Sequence, residues 1–170
     1  MTKETLKTFI NKYYLGGTVE SVKWVANTSN KQLITNAITE DKNVLLKVTL
    51  NNFSDLEDGE LGINDTSKLA KLLGVLKDEI KTEYNKVGDK ITSVVFSDES
   101  TDVQYVIADL SVIPSAPPLK KIPPFTVEIP LDAEFISKFV SSKGALADVD
   151  TFTLMMNKKG KLEMIIGYSS

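Results

Sequence analysis

Lysine supplies all of the cationic side chains in this sequence, which has 20 lysines and no arginine, histidine or cysteine. Thiolate nucleophiles, cysteine-ligated zinc and the commonest general base are therefore excluded. Without arginine, bidentate hydrogen bonding of a guanidinium group to phosphate or carboxylate is also excluded. Any anion must be held by lysine acting as a mobile point charge.

The remaining catalytic options are paired carboxylates, a lysine nucleophile or a Ser/Lys arrangement. None of the patterns G-x-S-x-G, GxxxxGK[ST] and GxGxxG occurs. The acidic segment 51–60 does not fit a calcium loop, because counting from Asp55 puts glycine fifth and Thr66 twelfth, where such a loop needs glycine sixth and glutamate twelfth. The sequence therefore argues against an enzyme and predicts no metal and no cofactor.

Three amphipathic helices are predicted, beginning near Thr5, Thr66 and Asp132. Each carries apolar residues at i, i+3 and i+4, and the first two also at i+7. The apolar residues are Leu6, Phe9, Ile10 and Tyr13 in the first helix, Leu69, Leu72, Leu73 and Leu76 in the second, and Ile136, Phe139 and Val140 in the third.

Alternating apolar residues between turn signals predict short antiparallel strands around these helices. The predicted strands cover 19–26, 32–38, 44–50, 61–63, 79–86, 90–97, 102–112, 126–129, 150–157 and 162–168. The order of strand, helix and three strands is repeated, and a third unit lacks its last strand.

Residues 113–125 hold five of the six prolines, which favours an extended, semi-rigid connector. The predicted organisation is a complete first domain over 1–112, the connector over 113–125 and a partial second domain over 126–170.

The order of these parts resembles the DNA polymerase sliding clamp, most closely the clamps of large tailed phages. The resemblance is carried by LKTFINKYYLGGTVESVKWV, LGINDTSKLAKLLGVL, KITSVVFSDESTDVQYVIADLSV, IPSAPPLKKIPPF and VEIPLDAEFISKFVSS. It implies an α+β sliding-clamp fold made of repeated strand-helix-three-strand units, with antiparallel sheets and helices on one face. Because the family's protomer has a complete second domain, we expect this chain to be C-terminally truncated.

The resemblance implies a processivity factor that encircles duplex DNA without sequence preference and tethers the replicative polymerase. Its expected partners are DNA, a DNA polymerase, a clamp loader and, at full length, further copies in a ring. The sequence has no signal-peptide pattern and no apolar run of membrane-spanning length, so we expect a cytoplasmic protein, in the host cytoplasm if phage-encoded.

The same resemblance implies DNA contact by helix lysines and peptide capture near the connector. The DNA-contact candidates are Lys3, Lys7, Lys12, Lys68, Lys71, Lys77 and Lys138, and the peptide-site candidates are Val112, Ile113 and Leu119. The lysines equally fit a solvated helix face, and the connector equally fits a simple link between domains. The rival interpretation is a non-enzymatic phage structural or interaction protein without a DNA role.

Overall fold

The structure is a computed structural model that describes residues 1–117, 124–125, 129–158 and 160–167. The chain divides into two compact units, Met1–Lys120 (unit 1) and Lys121–Ser170 (unit 2). The boundaries expected at 112 and 125 stay a prediction.

Unit 1 contains two helices, α1 (Lys3–Tyr14) and α2 (Thr66–Gly74). The Thr2 hydroxyl caps the N-terminus of α1 by accepting a hydrogen bond from the Thr5 amide. The Asp65 carboxylate caps α2 by accepting one from the Lys68 amide at 2.7 Å. Helix α1 ends at Leu15, whose φ of 49° is left-handed. Capping side chains thus set where both helices begin.

Seven strands of unit 1 form two antiparallel sheets, in the orders β3-β2-β1-β4 and β5-β6-β7. The strands are β1 (Val22–Asn27), β2 (Gln32–Ile38), β3 (Leu45–Asn51), β4 (Gly59–Ile63), β5 (Lys81–Val87), β6 (Lys90–Ser97) and β7 (Asp102–Val106). The α+β class with antiparallel sheets is confirmed.

The two repeats of unit 1 exchange strands. Strand β4, which precedes α2 in the chain, pairs with β1, the first strand after α1. In the same way Thr2, which precedes α1, pairs with Glu79 just before β5, and the Ile80 amide donates to the Met1 carbonyl at 2.9 Å. The second repeat therefore supplies a strand to the first sheet, and the first repeat supplies an isolated bridge to the chain just before β5.

A single core lies between the helices and both sheets of unit 1. Three aromatic rings at its centre, those of Phe9, Tyr13 and Trp24, pack edge to face with centroids 5.6 to 6.5 Å apart. Leu69 and Leu73 of α2 are fully buried in the same core. The apolar stripes predicted for the first two helices therefore pack together.

Unit 2 contains one helix, α3 (Ala133–Ala145), and an antiparallel hairpin of β8 (Phe152–Met156) and β9 (Leu162–Ile166). The Asp132 carboxylate caps α3, and the rings of Phe139 and Phe152 pack edge to face at 5.3 Å. This is one helix-and-hairpin unit without a second helix among the residues described.

The strand predicted over 102–112 is wrong beyond Val106. Asp109 accepts the Ser111 amide at 3.0 Å and turns the chain into a 3-10 helix at Leu110–Val112, after Ala108 has paired with Gly62 of β4. Of the strand predicted over 126–129, residues 126–128 lie outside the described residues and 129 is not in a strand. Residue 168, the predicted end of the last strand, also lies outside them.

Candidate nucleic-acid interface

Helices α1 and α2 run side by side in opposite directions. Near the end of α1, the Tyr13 hydroxyl lies 3.4 Å from the hydroxyl of Thr66, the first residue of α2. At the other end, Lys3 Nζ donates to the carbonyl of Leu76 just after α2, at 2.5 Å. The last turn of α1 therefore lies beside the first turn of α2.

Three exposed lysines lie on the parts of α1 and α2 that flank this junction. Lys12 lies in the last turn of α1, and Lys68 and Lys71 lie three residues apart on the solvent side of α2, which contains no acidic residue. Within the described part of the chain, none of the three forms an ion pair. Their charges are therefore available to an external anion.

Three other predicted lysines are paired at the surface. Lys7 lies 3.5 Å from Glu4, Lys77 lies 3.3 Å from Glu99, and Lys138 of unit 2 lies 2.6 Å from Glu134. Exposed pairs of this kind contribute only about 0–1 kcal/mol, so a phosphate can compete for these lysines. Their DNA role stays a prediction.

Lys3 has a structural role within unit 1. Its side chain is 15% exposed, its ammonium bonds the Leu76 carbonyl, and Asp78 lies 3.8 Å away. Because a lysine that satisfies a carbonyl beyond the end of a helix stabilises that end, its ammonium is already committed. We therefore leave Lys3 out of the DNA proposal below.

Two acidic side chains of unit 1, those of Asp58 and Asp98, accept backbone amides in loops. Asp58 accepts the Thr28 amide at 2.5 Å. Asp98 accepts the amides of Lys77 and Ser100, both at 2.7 Å, which lowers its pKa from 3.8 to about 2. These carboxylates stay ionised while fixing turns. The helical residues 66–74 include no acidic side chain, and the Asp65 carboxylate at the cap accepts the Lys68 amide.

The lowered pKa of Asp98 predicts an acid-sensitive contribution to stability. Asp98 binds its proton more weakly when folded, so its contribution is present above about pH 4 and is lost as the pH falls toward 2. We expect Asp98→Asn to lower the urea midpoint at neutral pH and to flatten its fall between these pH values. Fluorescence of Trp24, the single tryptophan, reports the unfolding of unit 1. Asp89→Asn, in an exposed turn, is the matched control, and an equal pH dependence for both variants would contradict the role given to Asp98.

Two of the three predicted peptide-site residues, Val112 and Ile113, lie in the described part of the chain and differ in exposure. Val112 is 68% exposed, whereas Ile113 is 7% exposed and packs against Gly62. Leu119 lies outside the described residues, so its role stays a prediction.

Sequence reasoning missed a cavity of about 380 Å³ where the chain enters the connector, lined by Gly17 to Ser21, Ile38 to Asp41 and Pro114. No local motif marks it, since its walls come from three separated segments.

Among the described residues, no group of three or more His, Cys, Asp or Glu side chains is placed to hold a metal ion. In the same part of the chain, no helix has both the length and the apolar character needed to cross a membrane.

This strand-exchanged α+β arrangement is the fold of a DNA polymerase sliding clamp. The sliding clamp from Pseudomonas aeruginosa, solved with a ligand, is similar in structure with a TM-score of 0.50 and 15% sequence identity. The match covers 69% of this chain and 31% of that clamp, so the matched part of this chain spans less than a third of that protein's length. No protein-family model and no curated protein sequence matches the chain. At this identity the likeness shows the fold.

Proposed function

We propose that this chain acts as a sliding clamp, which encircles duplex DNA without reading its sequence and tethers a replicative polymerase. The observation that supports this most is the pair of antiparallel helices in a clamp fold, carrying Lys12, Lys68 and Lys71 exposed and without acidic partners. The proposal includes a homo-oligomeric ring, a clamp loader that opens it, and a cytoplasmic, phage-encoded setting for replication.

Lysine chemistry suits a protein that must move along DNA. Phosphate attraction through counterion release is independent of sequence, whereas base reading in the major groove depends on planar or bidentate groups such as arginine, asparagine and glutamine. Lysines on α1 and α2 supply the charge, and the chain has no arginine fork. The contact is therefore expected to be weak, mobile and salt-sensitive.

The cavity beside Pro114 is the proposed site for a partner's short peptide. It is open to solvent, Ile38 and Pro114 supply apolar wall, and Glu40 and Asp41 lie at the same cavity. This composition fits an apolar anchor followed by a basic residue, as on a polymerase or loader segment. Exposed Val112 fits the same surface better than buried Ile113 does.

Amide chemical shifts of the 170-residue chain, titrated with two short duplexes of unrelated sequence at low salt, test the DNA role. We expect the same small shifts for both duplexes, confined to exposed residues of α1 and α2 around Lys12 and Lys68, and their disappearance at high salt. The Gly88 turn of the β5-β6 hairpin provides an internal control that should not shift. Shifts confined to the strands would place the DNA contact outside α1 and α2 and contradict this interface, whereas no shifts at all would support the rival role of an interaction protein without DNA contact.

A further inference from the structure

Glu20 connects the two lysine-bearing helices of unit 1. It lies between α1 and β1, and its half-buried carboxylate accepts a hydrogen bond at each oxygen. Oε1 accepts the hydroxyl of Tyr14, the last residue of α1, at 3.1 Å. Oε2 accepts the amide of Ser67, the second residue of α2, also at 3.1 Å. One side chain therefore bonds to the last turn of α1 and to the first turn of α2.

The backbone of Glu20 adds two more bonds to α2. Its carbonyl accepts the Thr66 amide at 3.1 Å and the Thr66 hydroxyl at 2.8 Å. Because the first amides of a helix have no acceptor within that helix, they need acceptors from elsewhere. Glu20 supplies the acceptors for Thr66 and Ser67. A carboxylate is also favoured at this end by the helix dipole, so the start of α2 is built around Glu20.

These hydrogen bonds are directional, whereas the apolar contact between the helices is not. Burial of Leu69 and Leu73 in the common core stabilises the helix pair, but its free energy depends mainly on the area removed from water. Hydrogen bonds weaken steeply outside a narrow range of distance and angle. The position of the last turn of α1 relative to the first turn of α2 is therefore defined most closely by the bonds to Glu20.

We propose that Glu20 is a positioning residue for the DNA interface, which holds Lys12 of α1 at a fixed distance from Lys68 of α2. Lys12 lies two residues before Tyr14, and Lys68 directly follows Ser67. Both lysines are exposed and can reach phosphates, whereas the Glu20 carboxylate is occupied by the helices. A fixed spacing lets the two ammonium groups contact two phosphates at once. The meaning of this spacing for DNA rests on the proposed function, but the spacing itself is measurable without DNA.

Spin labels measure the spacing directly, because the chain has no cysteine of its own. Nitroxides at Lys12→Cys and Lys68→Cys should give one defined distance distribution by electron paramagnetic resonance in the otherwise unchanged chain. We expect a broader distribution in Glu20→Ala, which loses both carboxylate contacts, and the parent distribution in Glu20→Gln. The glutamine amide restores both contacts without the charge, because its oxygen accepts the Ser67 amide and its nitrogen donates to the Tyr14 hydroxyl.

Tyr14→Phe is a second variant that removes only the bond between α1 and the carboxylate. It leaves the acceptors for α2 in place, so we expect it to fold as the parent does and still to broaden the distribution. Ser21→Ala is the matched control, since the Ser21 hydroxyl donates to the Asn64 carbonyl at 3.0 Å, just before α2, and does not bond to α1. The control should keep the parent distribution. An unchanged distribution in Tyr14→Phe, or equal broadening in the control, would overturn the proposal.

The salt dependence of DNA binding separates positioning from charge. A Glu20 that acted only as a negative charge near the lysines would give the same rise in affinity for duplex DNA in Glu20→Ala and Glu20→Gln. We expect instead that Glu20→Ala loses one simultaneous phosphate contact, so that its slope of log affinity against log salt concentration falls by about 0.9, while Glu20→Gln keeps the parent slope. Equal slopes in the two variants would contradict the positioning role. A parent chain that binds no duplex would contradict the proposed function, and the spin-label distances would still decide whether Glu20 sets the spacing.

Discussion

Replacing Lys12, Lys68 and Lys71 together by glutamate is expected to lower the affinity for duplex DNA by on the order of a hundredfold or more at low salt. Each phosphate contact contributes about 0.9 to the slope of log affinity against log salt concentration, so losing three lowers the slope by about 2.7. Fluorescence anisotropy of a labelled duplex over a salt series measures both quantities. Folding should change little, because exposed substitutions usually shift stability by less than about 0.5 kcal/mol.

A charge-matched control separates the helix surface from net charge alone. Lys31, Lys47 and Lys81 are also exposed but lie outside the two helices, and replacing all three by glutamate gives the same net charge change, from −3 to −9. We expect this control variant to keep most of the parent protein's slope of log affinity against log salt concentration. If both triple variants bind equally weakly, the attraction is diffuse and α1 and α2 do not form the interface.

Gly62→Ala is expected to cause the largest loss of stability among the single substitutions considered for unit 1. A Cβ atom at Gly62 would lie 2.4 Å from the Ala108 carbonyl oxygen and 3.3 Å from Ile113. The nearer atom belongs to the backbone, and the Ala108 amide donates to the Gly62 carbonyl at 2.8 Å, so relief requires separating the strand from the chain after β7. Overpacking costs about 1–3 kcal/mol, and the hydrogen bond adds about 1 kcal/mol if it is lost.

Gly74→Ala is the matched control for this substitution. Gly74 is the last residue of α2, and a Cβ atom there would meet no other atom within 4 Å. Alanine is the better helix former, so we expect a change between zero and about 1 kcal/mol of stabilisation. Urea unfolding followed by Trp24 fluorescence compares the two variants. Equal midpoints would contradict the close approach of Gly62 and Ala108.

Local sequence patterns predicted the elements of this fold well. The bounds of β2 and β6 agree with the predicted strands over 32–38 and 90–97, since alternating burial and turn residues are local signals. The chain beyond Val106 was predicted as strand because apolar residues continue, and the turn set by Asp109 competes with that pattern. Element type follows from neighbouring residues, whereas element ends depend on caps and contacts.

The candidate site was less predictable because its residues are brought together over long sequence distances. Helical periodicity places Lys3 on a polar stripe but gives no sign that the Leu76 carbonyl, 73 residues away, occupies its ammonium. Likewise, the exposure of Val112 and the burial of Ile113 depend on Gly62 lying beneath the connector entrance. The sequence shows which residues are charged, but only the fold shows which lysine ammonium groups are free to bind an external anion.

The strand exchange in unit 1 has a consequence for how this unit folds. The first sheet is incomplete until β4 of the second repeat pairs with β1, and residues Met1 and Thr2 bond to Glu79 and Ile80, just before β5, only when the two chain segments meet. Such non-local pairing makes closure of a long chain loop a condition for stability and slows folding relative to a helical bundle of similar size. Neither half is a separate foldon, so a nick in the loop before β4 should leave two fragments that remain bound and unfold together.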